Sequence, residues 1–288
     1  MNVKAYAKIN LGLRIVEKRA DGFHNIETIF HYINLFDEIS VKPTQREIML
    51  HSSSAAIPSD NTNVCWKVVE LLQKETGSTF GAEIELQKNI PTGAGLGGGS
   101  SDAALLLRTL PSLWKINISQ ERLAHLALQL GSDVPFFLLN TSAYAESRGE
   151  VLFPFSYPLP YWIVLIYPNI HVSTPWAYRE FSTRMLPQRT QQLFPLFNKT
   201  SHTPHTLENI LINDFEKVVF ETHPEIGDIK KMLLEHTARF ALMSGSGSSV
   251  FGLFEQEHQA REAVAFFSKK FFVSLTEPNF QPIEYATT

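Results

Sequence analysis

Hydrophobic and polar residues alternate over the first fifteen positions of the chain. The odd-numbered positions from Val3 to Ile15 are all apolar, whereas the even-numbered positions include Lys8 and Asn10. Because successive side chains of a strand point to opposite sides, this pattern predicts a strand with one buried face. Similar apolar runs predict further strands at 26–33, 38–42, 47–51, 82–86, 142–147, 151–153, 162–167, 240–243, 250–254 and 271–276.

Other segments have the spacing of amphipathic helices. Apolar residues recur every three to four positions within 61–75, from 101 or 102 to about 110, and within 119–130, 224–236 and 256–269. Ser119 and Gly131 have residue types that begin and end helices, and Thr174 before a proline predicts another helix start. We expect Ser101 or Asp102 to cap the helix that follows the glycine-rich segment.

The mixture of strand and helix runs predicts an α+β fold with a mixed or antiparallel sheet. A proline-rich stretch at 155–160 is the candidate domain boundary, which divides the chain into residues 1–157 and 158–288. Residues 187–206, rich in Gln, Thr, Pro and His, predict a long loop.

Composition limits the possible classes of protein. The chain has 288 residues, 44% hydrophobic and 19% charged, which is typical of one large globular domain or two of usual size. A net charge of −4 without a long basic run argues against a nucleic-acid partner. The single cysteine, Cys65, excludes an internal disulfide. Without a signal sequence or a transmembrane-length apolar segment, we expect a cytoplasmic protein with no membrane partner.

The densest motif is PTGAGLGGGSSDAA at 91–104, in which five glycines fall within seven residues. Glycine permits positive φ angles and brings backbone N–H groups close to a ligand. A helix that begins directly behind such a segment adds free N–H donors and the positive end of its dipole. The segment therefore predicts an anion cradle, most commonly one for nucleotide phosphates.

Two familiar phosphate loops do not fit this segment. No Lys-Ser or Lys-Thr pair follows the last glycine, which excludes a Walker A loop. Gly93-x-Gly95-x-x-Gly98 matches the dinucleotide fingerprint, but residues 115–119 lack the acidic residue that a Rossmann fold places there. A linker or plain turn is disfavoured, because a clear strand and a clear helix flank the segment.

Three polar residues allow either a chemical or a structural interpretation. Lys8 and Asn10 lie side by side on the polar face of the first strand, where a solvated face is the simpler interpretation. Asp133 lies between a predicted helix end and a proline, so it could cap a helix. It could equally accept a proton from a hydroxyl that attacks a phosphoryl group.

Two turns carry further candidate residues. Residues 243–249, MSGSGSS, could form a tight hairpin, but two glycines and four serines exceed what a hairpin needs and favour a second ligand-lining surface. Asp21-Gly22-Phe23-His24 would by itself be a surface turn that carries an aromatic ring and an imidazole. No His or Cys spacing typical of zinc sites is present, and no serine nucleophile elbow.

These motifs, in this order, resemble those of the GHMP kinases, a superfamily that includes galactokinase, homoserine kinase and mevalonate kinase. The segments 91–104 and 243–250 carry the resemblance to the superfamily. AKINLGL at 7–13, RADGFH at 19–24 and LGSDVP at 130–135 resemble the family that phosphorylates a cytidine-diphosphate polyol in the non-mevalonate isoprenoid pathway. The resemblance covers most of the chain.

The resemblance implies a two-lobed α/β fold with the active site in the cleft. The N-terminal lobe would be of the ribosomal-S5-domain-2-like type and hold ATP, and the C-terminal lobe would be ferredoxin-like. ATP, with Mg²⁺, would phosphorylate the tertiary 2-hydroxyl of a methylerythritol moiety. The partner would be the small-molecule polyol substrate, and the protein would be a monomer or a weak homodimer.

The resemblance also assigns roles to individual residues. Asp133 would be the general base. Lys8 would keep the carboxylate of Asp133 ionised and would stabilise the attacking oxygen. The ATP-binding residues would be Pro91, Gly93, Gly95, Leu96, Gly97, Gly98, Gly99, Ser100, Ser101, Asn63 and Lys88. The substrate-binding residues would be Asn10, Phe23, His24, Thr174, Tyr178, Gly245 and Gly247. His24 would read the cytosine edge, and the rings of Phe23 and Tyr178 would sandwich the base. The Mg²⁺ ligands stay open, with Ser101 as a candidate.

Three features depart from the family pattern. Position 23 is Phe where Tyr is common, position 132 is Ser where Ala is common, and residues 187–206 match no known segment. Two alternatives stay open: another GHMP kinase of the homoserine or mevalonate type, and a catalytically silent nucleotide-binding protein on the same fold. The presence of both Lys8 and Asp133 argues against the silent protein.

Overall fold

The computed structural model describes residues 1–183, 192–199 and 203–283, and two sheets form its framework. The six-stranded sheet contains β1 (Asn2–Lys18), β2 (His24–Thr44), β3 (Ile48–Ser52), β4 (Gly81–Gln87), β5 (Ser142–Glu146) and β6 (Val151–Phe155). The four-stranded sheet contains β7 (Trp162–Tyr167), β8 (Phe240–Met243), β9 (Val250–Phe254) and β10 (Phe272–Thr276). Among the strand pairs of this framework, β3 with β4 is parallel and the others are antiparallel, which confirms the predicted α+β fold with a mixed sheet.

The helices pack on these sheets and enclose three hydrophobic cores. In chain order they are α1 (Val64–Thr76), α2 (Gly98–Leu113), α3 (Gln120–Leu130), a 3₁₀ helix (Val134–Leu138), α4 (Thr174–Ser182), α5 (Leu193–Lys199), α6 (Pro204–Ile210), α7 (Phe215–Thr222), α8 (Pro224–Glu235) and α9 (Glu257–Phe267). Helices α1 to α3 pack on the larger sheet and α7 to α9 on the smaller one. A third core contains side chains from both sheets, among them Ile9 and Phe251.

The strand β2 is longer than the sequence pattern predicts. The separate strands expected at 26–33 and 38–42 are one continuous strand, so the predicted break between them was wrong. The polar residues that interrupt the apolar pattern are held by partners distant in sequence. The backbone N–H of Asn34 donates to Thr276 Oγ1, and Asp37 accepts from backbone N–H groups that precede the glycine-rich segment.

The helix α2 begins at Gly98, and the predicted cap at Ser101 or Asp102 was wrong. Gly97 takes the capping position with a φ of 71°, and its carbonyl accepts from Ser101 N at 2.9 Å. Because glycine adopts this left-handed conformation without strain, the loop turns directly into the helix with no side-chain cap. Ser101 and Asp102 consequently lie buried near the start of the helix.

The other predicted helix ends agree with the structure to within a few residues. The Ser119 side chain accepts from Arg122 N and Gly131 ends α3, as predicted. The helix α4 is capped by Ser173 rather than Thr174. The sequence pattern missed α7 and the 3₁₀ helix.

The long loop predicted at 187–206 was wrong for most of the residues that the structure describes there. Residues 193–199 and 204–206 are helical, and 187–191 and 200–202 lie outside the described residues. Leu193 and Phe197 of α5 are buried against the core that contains both sheets, and Leu193 N donates to Glu27 Oε2 at 3.0 Å. Tertiary contacts therefore stabilise a short helix whose own sequence signal is weak.

Residues 156–161 connect the two sheets, and Tyr157, Leu159 and Tyr161 of this segment are buried. No strand pairing joins the larger sheet to the smaller one among the described strands. The division at residue 157 stays a prediction. None of the described helices is long and apolar enough to cross a membrane.

Candidate active site

A cavity of about 1220 Å³ lies where the glycine-rich segment, β1, α4 and the turn after β8 meet. Of the residues that the sequence assigned to the site, those lining the cavity are Lys8, Asn10, Phe23, His24, Asn63, Lys88, Pro91, Gly93, Gly95, Leu96, Gly97, Gly98, Gly99, Ser100, Asp133, Thr174, Tyr178 and Gly245. Ser101 and Gly247 do not line it. The fold thus brings together residues from both ends of the chain.

Lys8 is buried beneath the glycine-rich segment. Its Nζ donates to Asn10 Oδ1 at 2.6 Å and to the Gly95 carbonyl at 3.3 Å, and its backbone N–H donates to the Leu96 carbonyl at 3.0 Å. The solvated-face interpretation of Lys8 and Asn10 was therefore wrong. Burial lowers the pKa of Lys8, while the nearby carboxylate of Asp133 opposes that change.

Asp133 lies at the start of the 3₁₀ helix, yet its side chain makes no capping hydrogen bond. The carboxylate instead faces Lys8, with 3.6 Å between Asp133 Oδ2 and Lys8 Nζ, and 35% of the Asp133 side chain is exposed. The capping interpretation is thus contradicted. A partly exposed carboxylate beside a buried ammonium is placed to accept a proton from a hydroxyl bound in the cavity.

The glycine-rich segment needs glycine for both conformation and space. Gly93, Gly95 and Gly97 all have positive φ angles, and a Cβ at Gly95 would lie 2.2 Å from the Ser244 carbonyl oxygen. The first residues of α2, Gly98 to Ser100, line the cavity. Their N–H groups precede the first intrahelical hydrogen bonds and carry the positive end of the helix dipole, which suits this end of the cavity to an anion.

The turn 244–249 between β8 and β9 is a hairpin that also lines the cavity, so both interpretations of this motif apply. Ser244 Oγ donates to the Gly95 carbonyl at 3.0 Å and accepts from Asn10 N at 3.2 Å, and Ser249 N donates to the Ala94 carbonyl at 3.3 Å. The two glycine motifs are therefore joined directly.

Two further residues hold the 244–249 turn in place. Asn213, which no sequence motif predicted, donates from Nδ2 to the carbonyls of Met243 and Gly245 at 2.7 and 2.8 Å. Thr174 Oγ1 lies 2.7 Å from Ser246 Oγ, which ties the start of α4 to the same turn. A lone asparagine before a helix gave no signal in the sequence, because its partners are distant carbonyls.

At another end of the cavity, the rings of His24 and Tyr178 stack at 5.1 Å with an interplanar angle of 20°. His24 Nε2 lies 2.9 Å from Ser182 Oγ, and that hydroxyl donates to the Tyr178 carbonyl. When the hydroxyl donates to that carbonyl, Nε2 must carry the imidazole proton, which leaves Nδ1 as the acceptor nitrogen of neutral His24. Burial lowers the pKa of His24, with a smaller contribution from Lys18.

Phe23 lies at the rim of the same end, with 54% of the residue exposed. The Arg148 guanidinium lies 5.0 Å from the centre of the Phe23 ring and also lines the cavity. The ring that faces Tyr178 is therefore His24 rather than Phe23. Arg148 and Ser182 could not be predicted from the sequence, since neither belongs to a recognisable motif.

Three of the residues assigned to ATP already have partners within the protein. Asn63 caps α1, with Oδ1 accepting from Cys65 N and Nδ2 donating to the Pro58 carbonyl. Lys88 Nζ donates to carboxylates of two buried aspartates. Ser101 Oγ donates to the Tyr6 carbonyl at 2.7 Å, outside the cavity lining.

Comparisons with known proteins cover almost the whole chain. Residues 63–141 match the GHMP kinases N terminal domain, and residues 199–273 match the GHMP kinases C terminal domain. The 4-diphosphocytidyl-2-C-methyl-D-erythritol kinase of Chlorobium phaeobacteroides (strain BS1) is 43% identical over 281 residues, 97% of this chain and 98% of that protein.

Solved structures give the same result at the level of the fold. A crystal structure of 4-(cytidine 5'-diphospho)-2C-methyl-D-erythritol kinase is 32% identical with a TM-score of 0.80, and the match covers 97% of this chain and 100% of that one. A mevalonate kinase structure, 14% identical with a TM-score of 0.72 over 98% of this chain and 100% of that one, shares the fold alone.

Proposed function

The chain belongs to the 4-diphosphocytidyl-2-C-methyl-D-erythritol kinase family of the GHMP kinases, and on that premise we propose that it transfers the γ-phosphoryl group of ATP to the 2-hydroxyl of this cytidyl polyol. It is a small-molecule kinase with the two-domain GHMP kinase fold. The observation that carries the proposal is the pair of Lys8 and Asp133 beside the glycine-rich segment in one cavity.

Asp133 acts as the general base in this proposal. The proton of the 2-hydroxyl passes to its carboxylate as the oxygen attacks the γ-phosphorus, and the bond to the β-phosphate oxygen breaks to release ADP. Lys8 stabilises the negative charge on the attacking oxygen, and its positive charge favours the ionised form of Asp133. Asn10, held by Lys8 and Thr28, orients the polyol hydroxyls.

ATP-dependent phosphorylation is a property of the GHMP kinase family. In this proposal, the glycine-rich segment at 91–104 supplies the phosphate site. Backbone N–H groups from Gly95 to Ser100 bind the triphosphate, supported by the positive φ angles and by the position of the start of α2 in the cavity lining. Asn63 and Lys88 line the adjoining wall toward the nucleoside.

Mg²⁺ would reduce the charge of the triphosphate. The described residues contain no group of three or more His, Cys, Asp or Glu side chains that could hold a metal. Mg²⁺ keeps several waters and is often held by substrate phosphates, so this site fits an ion bound mainly through ATP. Ser100 lines the cavity, whereas the Ser101 hydroxyl donates to the Tyr6 carbonyl, so Ser100 fits the role of a protein ligand better than Ser101.

The cytosine is recognised at the end of the cavity that contains His24. The acceptor Nδ1 of neutral His24 suits the 4-amino group of cytosine, which is a donor. A sandwich of the base between Phe23 and Tyr178 requires the His24 ring to leave the face of Tyr178 as the base enters. Thr174 and Gly245 belong to the polyol side of the site in this proposal, and Gly247, which does not line the cavity, contributes only as part of the 244–249 turn.

The last strand of the larger sheet ends at Phe155, and the first strand of the smaller sheet begins at Trp162. These positions support a division of the chain at residue 157. Residues 1–157 would form the ATP-binding lobe and 158–288 the second lobe. A cytoplasmic location and a monomeric or weakly dimeric state stay predictions from the sequence.

The test is release of ADP by the purified chain with a panel of alcohols: the cytidyl polyol, homoserine, mevalonate and methylerythritol 4-phosphate. We expect turnover with the cytidyl compound alone, with the new phosphate identified by ³¹P NMR as a 2-phosphate. Turnover with homoserine or mevalonate and none with the cytidyl compound would assign another kinase activity. Tight ATP binding without ADP release for any alcohol would indicate a silent nucleotide-binding protein.

A further inference from the structure

Three charged side chains form a buried cluster beneath the phosphate loop. Lys88 Nζ contacts Asp37 Oδ2 and lies 2.8 Å from Asp102 Oδ2. The exposed fractions of the three side chains are 8% for Lys88, 0% for Asp37 and 2% for Asp102. The proposed phosphoryl transfer uses none of these carboxylates.

The cluster joins the two ends of the loop to the larger sheet. Asp37 belongs to β2, and its Oδ1 accepts from Asn89 N at 2.6 Å and Ile90 N at 2.8 Å, immediately before the loop begins. Asp102 lies near the start of α2, where the loop ends. Lys88 connects these two carboxylates, so both ends of the loop are held against one strand.

The cluster also lies close to the N–H groups that face the cavity. A Cβ added to Gly98, the first residue of α2, would lie 3.4 Å from Lys88 Nζ. The positive charge of Lys88 thus lies beside the start of the helix, although its three donor positions are directed largely to carboxylates. Lys88 is therefore poorly placed to act as a free cation that follows a phosphate.

Burying the charges of Lys88 and Asp102 away from water costs free energy, and burial shifts the pKa of each group toward its neutral form. Burial lowers the pKa of Lys88, but the attraction of Asp102 and Asp37 outweighs burial and raises it overall. Burial raises the pKa of Asp102 against the attraction of Lys88. Asp102 Oδ1 has no hydrogen-bond partner among the described residues. Apolar side chains of similar volume would often be at least as stable, so the cluster calls for another role.

We propose that Asp37, Lys88 and Asp102 are positioning residues that hold both ends of the phosphate loop in the conformation that binds ATP. The proposal rests on the proposed function only in that ATP is the ligand. Because the cluster fixes the loop before ATP arrives, the chain avoids the free-energy cost of ordering the loop on binding. The cluster lies outside the part of the cavity assigned to the acceptor, which should bind independently.

The test compares Asp37→Asn and Asp102→Asn with wild type in the full chain. Asp37→Asn keeps an oxygen for the two backbone N–H groups and removes the ion pair with Lys88. We expect the Kd for ATP, measured by calorimetry without acceptor, and the KM for ATP to rise about 10- to 100-fold. The KM for the acceptor should stay within about twofold of wild type, and kcat should fall less than the KM for ATP rises.

Glu75→Gln is the matched control, because it removes an ion pair between α1 and α3 that does not contact the loop. It should leave the Kd for ATP unchanged. Wild-type ATP affinity in both aspartate variants would overturn the proposal, as would an equal rise in both KM values. Loss of folding in both variants, judged by circular dichroism, would also overturn it, since the cluster would then stabilise the whole fold. ATP binding is measured without the acceptor, so a wrong assignment of the acceptor would leave this test intact.

Discussion

The ammonium of Lys8 lies 3.6 Å from the carboxylate of Asp133, and the two groups differ sharply in exposure. The Lys8 side chain is 4% exposed and hydrogen-bonded to Asn10, whereas the Asp133 side chain is 35% exposed to the cavity. The cation is therefore fixed and the carboxylate is accessible. This asymmetry is what a proton acceptor beside a charge-stabilising group requires.

Replacing Asp133 by Asn should lower kcat by about 10²- to 10⁴-fold, the usual contribution of a general base. ATP binding and the melting temperature should change little, because the carboxylate makes no capping hydrogen bond. ADP release and calorimetry measure the two effects separately. Asp228→Asn, an exposed change on α8, is the control. Turnover near the wild-type rate in Asp133→Asn would show that Asp133 is not the general base.

Replacing Lys8 by Met should lower kcat by about 10²- to 10³-fold through lost electrostatic stabilisation. The melting temperature should change little, because relief from burying the charged amine offsets the lost hydrogen bonds to Asn10 and Gly95, and the partly exposed Asp133 stays solvated. Thermal unfolding and steady-state kinetics on one preparation check both results. A large loss of stability together with nearly normal kcat would contradict the assigned role.

Replacing Gly95 by Ala should destabilise the protein more than replacing Gly77 by Ala. Both glycines have positive φ angles, 78° and 68°, so both substitutions add similar backbone strain. A Cβ at Gly95 would also clash with the Ser244 carbonyl, whereas nothing lies within 4 Å of one at Gly77. We expect an additional loss of about 1–3 kcal/mol in the free energy of unfolding for Gly95→Ala. Equal denaturation midpoints for the two variants would contradict the close contact between the glycine motifs.

Acid should destabilise the fold through His31. Burial lowers the pKa of this imidazole to about 4, from 6.5 in the unfolded chain, and its Nδ1 lies 2.8 Å from Ser142 Oγ. Between these values the unfolded state binds more protons than the folded one, so stability falls as the pH decreases from 6.5 to 4. The loss attributable to His31 is about 3 kcal/mol at most.

Urea unfolding at a series of pH values measures this effect. Between pH 4 and 6.5, the free energy of unfolding of His31→Asn should depend less steeply on pH than that of the wild type. His125→Asn, which changes an exposed histidine on α3, should keep the wild-type slope. Identical slopes for His31→Asn and wild type would show that His31 does not titrate as expected.

Local patterns predicted the strands and most helices, because alternation and helical spacing are properties of neighbouring residues. The break predicted within β2 was wrong because Asn34 and Asp37 find partners distant in sequence. Helix α5 was missed because its stability depends on burial of Leu193 and Phe197 rather than on a long periodic pattern.

The residues of the candidate site that belong to sequence motifs could be predicted. The glycine-rich segment, Lys8 and Asp133 were found from their sequence context and meet in one cavity. Whether Lys8 was solvated and whether Asp133 was a cap depended on contacts formed only in the folded chain. Asn213 and Ser182 act through distant partners, so no local pattern could have identified them.

The hydrogen bonds of Ser244 to Gly95 and Asn10, and of Ser249 to Ala94, have a mechanical consequence. A hinge motion that separated the two sheets at this point would have to break all three bonds at once. The contact therefore adds stiffness at the place where the two halves of the chain meet. The motions that admit and release ligands should then occur at the exposed wall of the cavity around Phe23, rather than at the contact between the two glycine motifs.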